Sequence, residues 1–316
     1  MNIWEDIIQA EQRIRPYIRT TPLEYSFSLS KLTGSRVYLK LENLQYTGSF
    51  KVRGAMNALL LLTSAERTCG VVTASSGNHG IATAFGLSTL KMQGSIFVPQ
   101  NTSPTKMAAI QQYGVDLRQW GEDSVVTEAY ARAYAAEHEM VYISPYNDWR
   151  VVSGQGTIGM ELCRQNGQID VVLVAVGGGG MISGIAESVK TVFPQAEVIG
   201  CSPENSPVMA RSVQAGQLLD MESLPTLSDG TAGGVEAGAI TFPLCQRLVD
   251  DFLLVSEEEI RQAIRLCLET HHMLIEGAAG VSLAALLKTA ERFRDKTVIV
   301  VVCGANMSVD TLKTIL

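Results

Sequence analysis

No run in the 316 residues stays apolar for the ~18–20 positions that a membrane-spanning helix needs, which excludes that class of membrane protein. Cysteine is sparse and scattered: Cys69, Cys163, Cys201, Cys245, Cys267 and Cys303 form no CxxC pair and no cluster with histidine. That excludes a zinc ribbon and a dithiol redox motif, and it reads as reduced, mostly buried thiols in a cytoplasmic protein. Positive charge is short as well. With 25 Lys and Arg against 32 Asp and Glu, and a net charge of −7, nucleic acid is not an expected partner. No repeat, low-complexity tract or Ser/Pro-rich linker divides the chain, and no charged-then-apolar leader precedes the amphipathic pattern opening at Met1-Asn2-Ile3-Trp4.

What is present is hydrophobic patterning of two periods. Helical spacing marks Ile3 to Ile18, Val52 to Leu62, Ile81 to Leu90, Pro104 to Tyr113, Ser124 to Glu137 and Ile182 to Val192. Strands are expected at Val37–Glu42, which alternates as if half-buried, and at 70–74, 94–98, 115–120 and 141–143. The runs 171–176, 198–201 and 298–302 are continuously apolar, as central parallel strands should be. Strands alternating with helices give an α/β fold of two open parallel-sheet lobes, with a ligand cleft between them.

Four stretches carry chemistry. In Thr47-Gly48-Ser49-Phe50-Lys51-Val52-Arg53-Gly54 one lysine stands between an aromatic residue and a helix start that Ser49 can cap. The positive end of the helix dipole and partial desolvation both favour its neutral amine, the form that attacks carbonyls. A solvated surface lysine is the plainer alternative. Ser75-Ser76-Gly77-Asn78-His79-Gly80 ends a strand and opens a helix. Free N–H groups, two hydroxyls, an amide and an imidazole there make a carboxylate receptor, where a cap alone needs one polar residue. Gly177-Gly178-Gly179-Gly180-Met181, between an apolar strand and a helix, exposes successive N–H groups as a phosphate cradle and lacks the Lys-Ser/Thr ending of a nucleotide-triphosphate loop. Cys303-Gly304-Ala305-Asn306 ends the last apolar strand at the same cleft edge. Gly154-Gln155-Gly156-Thr157-Ile158-Gly159 matches the dinucleotide pattern by letter, but no strand runs into it, so a close-packed helix start is expected there.

A reactive lysine, a carboxylate receptor and a phosphate cradle point to pyridoxal phosphate and an amino acid. On the motifs Ser-Phe-Lys-x-Arg-Gly, Ser-Gly-Asn-His-Gly and Gly-Gly-Gly-Gly-Met the sequence resembles, over nearly its whole length, the pyridoxal-phosphate-dependent serine/threonine dehydratases, with serine racemase close by. The resemblance implies the tryptophan-synthase-β-like fold, fold type II. Residues 1–65 and 148–316 would form a large cofactor-binding domain, and 66–147 a small substrate-binding one. It implies a homodimer that removes the β-hydroxyl and amino groups of L-threonine, L-serine or a similar substrate, with racemisation the rival reaction on the same site.

By the same resemblance, Lys51 holds the cofactor as a Schiff base and takes the Cα proton, and Phe50 packs beside the ring. Asn78 bonds the ring's 3-hydroxyl. Ser75 and His79 grip the substrate carboxylate, and Ser76 faces the opposite side of the substrate, as in racemases. Gly177, Gly178, Gly179, Gly180 and Met181 hold the phosphate, Asp229 lies near the substrate hydroxyl, and Glu276 near the ring. Cys303 stands where relatives carry serine or threonine beside the pyridine nitrogen. A neutral thiol there should leave that nitrogen unprotonated and favour expulsion of a β-group over a long-lived carbanion.

Three departures from the family pattern stand out. Ser202 and Val208, in Cys201-Ser202-Pro203-Glu204-Asn205-Ser206-Pro207-Val208, replace the carboxylates of a divalent-cation site, so no metal is expected. Gly277 replaces the proline usual after Glu276. The chain stops at Leu316, short of the regulatory C-terminal domain of biosynthetic threonine dehydratases. The run from Ser202 to Met209, with Thr270-His271-His272, is similar to the dehydratase subgroup tied to hydroxyectoine use.

Overall fold

The computed structural model describes residues 2–316; Met1, counted in the expected large domain, lies outside the described residues. The strands in chain order are β1 (Leu23–Tyr25), β2 (Arg36–Leu41), β3 (Val71–Ala74), β4 (Gly94–Val98), β5 (Asp116–Gln119), β6 (Val141–Tyr142), β7 (Val171–Ala175), β8 (Glu197–Pro203), β9 (Asp251–Val255) and β10 (Thr297–Val302). They make a six-stranded sheet in the order β1-β2-β10-β7-β8-β9 and a four-stranded sheet in the order β5-β4-β3-β6. Every pairing is parallel except β1 with β2. The α/β expectation holds, with a short antiparallel edge strand added.

The apolar runs fall at the centre. Val298 in β10 pairs with Val37 on one side and Val171 on the other, and every residue of β7 and β10 is buried. With helices on both faces, such strands have no polar side to show.

The structure corrects two sequence expectations here. β2 is not half-buried, because the polar members of its alternation go inward. Lys40 and Glu42 are fully buried, as is Arg53. Lys40 Nζ donates to Glu161 Oε2 at 2.6 Å, and Arg53 forks between Glu42 (2.8 Å twice) and Glu161 (2.9 Å twice). Burial alone would raise the Glu161 carboxyl, but Arg53 and Lys40 hold it down at about 2. The second correction concerns Gly154 to Gly159, which lie inside the helix Trp149–Gln165, not at its start. Gly154 meets the backbone of Arg53 and Gly54, and Gly156 meets Ile7 and the Gly184 carbonyl. Those glycines let the helix Trp149–Gln165 come to backbone contact with the lysine-bearing helix and with the helix that carries Gly184.

Candidate active site

The helix Lys51–Leu60 begins where the loop after β2 meets the segment after β10. The Phe50 N–H donates to the Cys303 carbonyl at 3.0 Å, the Ala305 N–H donates to the Gly48 carbonyl at 2.9 Å, and Ser49 and Gly304 form an antiparallel bridge. Lys51 therefore emerges at the carboxyl ends of the sheet strands, where ligands of such sheets collect. Ser49 does not cap this helix: Phe50 takes the cap position without a side-chain bond, and the Ser49 hydroxyl is buried without a partner. The bridge to Gly304 draws Ser49 into the sheet extension, away from the helix axis.

Lys51 lines the cleft and is half-buried. Its Nζ donates to the Pro145 carbonyl at 2.9 Å and sits 5.3 Å from the centre of the Phe50 ring. Desolvation pulls its pKa down to about 8, against the opposing pull of Cys303 and Glu276. About a tenth of the amine is therefore neutral at pH 7, against well under a hundredth for an ordinary lysine.

β3 ends at Ala74, and the next helix, Asn78–Leu90, starts after Gly77, its cap residue, with no side-chain cap bond. Ser75, Ser76 and Asn78 are half-buried along this turn, and Ser75 Oγ already accepts from the Gly77 N–H at 3.2 Å. His79 differs from expectation. It is only 2% exposed, and its Nε2 meets the Ile143 carbonyl at 3.1 Å. Burial, with Lys51 nearby, pushes its pKa to about 3, so the ring is neutral. It fastens the turn to the strand beside it, and the turn's N–H groups and hydroxyls are left to receive a carboxylate.

The cradle follows β7, and the helix Gly180–Val192 starts within it. Gly179 takes the cap position at φ +82° with no side-chain bond, so the first N–H groups of the helix meet no capping side chain. A Cβ on Gly178 would overlap the Tyr146 ring, so the cradle is fixed by the residue next to Pro145, Lys51's own acceptor. Met181 contributes only backbone here; its side chain is buried in the main core.

Cys303 is 1% exposed, and burial first, then Glu276, raises its thiol well above the ordinary range. The neutral thiol expected there is what the surroundings produce. Glu276 accepts both 2.8 and 3.0 Å bonds from Asn78 Nδ2, and burial raises its pKa to about 7. A Cβ on Gly277 would overlap the Leu227 carbonyl, so the glycine admits the loop that carries Asp229. Asp229 itself is exposed and pairs with Lys106 Nζ at 3.0 Å. Sequence reasoning passed over Tyr146 and Lys106, and it named Asn306 only as the end of the turn that closes the last strand, without giving it a role.

These residues fit pyridoxal phosphate. The lysine is desolvated, the cradle has no side chains at a helix start, and the thiol beside Lys51 and Glu276 is neutral. The donor set matches an aldehyde, a phosphate and an aromatic nitrogen that carries no proton.

A family model described as pyridoxal-phosphate dependent enzyme matches residues 14–304. The L-threonine ammonia-lyase of Thermotoga maritima is 38% identical over 314 residues, covering 99% of this chain and 77% of that protein. The processed form of threonine deaminase isoform 2 from Solanum lycopersicum superposes with a TM-score of 0.95 at 30% identity, covering 99% of this chain and 87% of the other. Maize serine racemase superposes at 0.93 with 30% identity, covering 98% and 95%.

Proposed function

We propose that this chain, which belongs to the pyridoxal-phosphate-dependent enzyme family, is an ammonia-lyase that converts L-threonine, L-serine or a similar β-hydroxy amino acid to a 2-keto acid and ammonia. The observation that carries the reading is the Lys51 amine, lowered to about 8, in one cleft with the neutral Cys303 thiol and two helix starts that no side chain caps. Pyridoxal phosphate, when bound, supplies the electron sink for charge left at Cα.

The chain's own residues do the rest. Gly177 to Met181 hold the phosphate through backbone N–H groups at the positive end of their helix. The turn from Ser75 to Asn78 takes the substrate carboxylate in the same way. Lys51 would hold the cofactor's aldehyde carbon and would stand as the base for the Cα proton. The Cys303 thiol keeps its proton and would offer no negative charge to the cofactor's ring nitrogen, which favours expulsion of the β-hydroxyl over a long-lived charge at Cα. Loss of water and then hydrolysis of the released product yield keto acid and ammonia.

A second reading, amino-acid racemisation, is favoured by Ser76 in that turn and by the likeness to maize serine racemase. The unit of residues 66–147 serves as the small domain over the substrate, and the remainder as the cofactor-binding domain. The enzyme works in the cytoplasm, in keeping with its unpaired cysteines. Among the described residues no helix is long and apolar enough to cross a membrane. Tyr25, at the end of the edge strand β1, and Phe27 and Leu32, in the helix after it, are exposed and support a homodimer.

The test is a keto-acid and ammonia assay of the purified protein over a panel of L-serine, L-threonine and larger β-hydroxy amino acids, including hydroxyectoine-derived ones. Chiral analysis of residual substrate runs alongside. Keto acid from at least one substrate is expected; D-amino acid as the main product would install the racemase reading.

A further inference from the structure

Asn306 stands open to the cleft and bonds to three separate stretches of chain. Its Nδ2 donates to the Thr47 carbonyl at 2.9 Å and to Asn78 Oδ1 at 2.6 Å, and its backbone N–H donates to Glu276 Oε2 at 3.0 Å. Asn78 Nδ2 in turn donates to both Glu276 oxygens. Asn306 Oδ1 lies over Gly48, where an added Cβ would come within 2.6 Å of it. At φ +71°, Gly48 is a position that other residues rarely adopt, so this contact is built into the lysine loop.

The chain of bonds starts at an obligatory acceptor. The Thr47 carbonyl can only accept, so the amide of Asn306 must turn its nitrogen toward Thr47. The same nitrogen faces Asn78, which therefore meets it with its oxygen and turns its own nitrogen toward Glu276. If Asn78 flipped alone, its nitrogen would face the Asn306 nitrogen and the bond between the two amides would be lost.

We propose that Asn306 is a positioning residue that fixes the Asn78 amide with its nitrogen toward Glu276, and anchors it to the loop bearing Lys51. Asn78 then presents a donor, not an acceptor, to the oxygen of a bound ring. The inference rests on the reading of this cleft as the pyridoxal phosphate site.

The test reads cofactor affinity by titrating apoenzyme with pyridoxal phosphate, together with the visible band of the loaded protein and the thermal midpoint of the apoprotein. Asn306→Ala should weaken affinity about tenfold, the worth of one lost hydrogen bond, and shift the band. Asn78→Ala should do the same, and the double variant should be no worse than Asn78→Ala alone, as expected of groups acting through one contact. Asn306→Asp, nearly isosteric, keeps the packing over Gly48 but sets an acceptor against the Asn78 oxygen. It should shift the band more than Asn306→Ala, and it serves where the alanine variant does not fold. A wild-type band and affinity in Asn306→Ala, or additive losses in the double variant, would overturn the proposal. A lowered apoprotein midpoint with an unmoved band would mean a structural role only and would overturn it too. If Asn78→Ala itself changes neither affinity nor band, the site reading falls first.

Discussion

Lys51 Nζ donates to the carbonyl of Pro145, whose neighbour Tyr146 lies against the cradle glycines. One backbone segment thus sets the distance from the amine to the phosphate site. It also keeps the amine out of bulk water, the main reason its pKa drops to about 8. Only the neutral amine attacks an aldehyde. Capture of pyridoxal phosphate by the apoenzyme should therefore quicken as pH rises through about 8 and level off above it. Stopped-flow absorbance across pH 6–10 checks this; a rate that keeps climbing to pH 10 without levelling off would mean that the amine is not desolvated as described.

Lys51→Ala should abolish turnover and leave no protein-bound cofactor after borohydride reduction. Peptide mapping of the reduced wild type should place the label on Lys51 alone. A label on another lysine, or full activity in the variant, would remove the premise of the site.

Reaction choice should divide at Ser76. Elimination needs one base, and racemisation needs a base on each face of Cα. Ser76→Ala should suppress any D-amino acid formation by more than the ~10²-fold typical of one acid–base group, and should hurt keto-acid formation less. Equal losses in both products would show that Ser76 only binds the carboxylate.

Activity should be indifferent to divalent cations. Ser202 Oγ is committed to the Val176 carbonyl at 3.2 Å, Ser206 Oγ lies 2.8 Å from Ser223 Oγ, and Val208 is buried. Glu204 pairs with Lys288 at 3.4 Å. Chelator treatment should leave the rate nearly unchanged; a large loss restored by magnesium or calcium refutes this.

Arg53 is the keystone of the buried ion cluster below Lys51. Arg53→Met strands Glu42 and Glu161 without their shared partner and should cost about 3–5 kcal/mol, the usual penalty for an uncompensated buried charge. Arg53→Lys keeps the charge but cannot fork to two carboxylates, so it should recover only part. Denaturant midpoints of the three proteins measure the order. Equal midpoints would mean that the cluster relaxes by admitting water.

Much of this was legible because backbone chemistry is written locally. The continuous apolar runs at 171–176 and 298–302 had to be central strands, and the four glycines after the first could only be a bare helix start. What failed did so where tertiary partners decide. Lys40 and Glu42 read as a solvent-facing stripe because a sequence does not reveal that Arg53 and Glu161 wait on the inner side. Ser49 read as a cap because the bridge to Gly304 is more than 250 residues away in the chain. Asn306 was visible as part of the turn closing the last strand, but its partners were not, since each lies on a different stretch.

The place of β10 bears on when the enzyme can first exist. The strand leaves the ribosome after every other strand of both sheets, yet it separates β2 from β7 at the middle of the six-stranded sheet. Until residues 297–302 leave the ribosome, the flanking strands have no common neighbour, and the Lys51 loop has nothing to rest on. The nascent chain must hold the apolar strands β7 and β8 open until β10 emerges, a period of exposure in which chaperones matter most. Cofactor loading therefore waits for β10: a chain truncated before it should neither capture pyridoxal phosphate nor stay soluble.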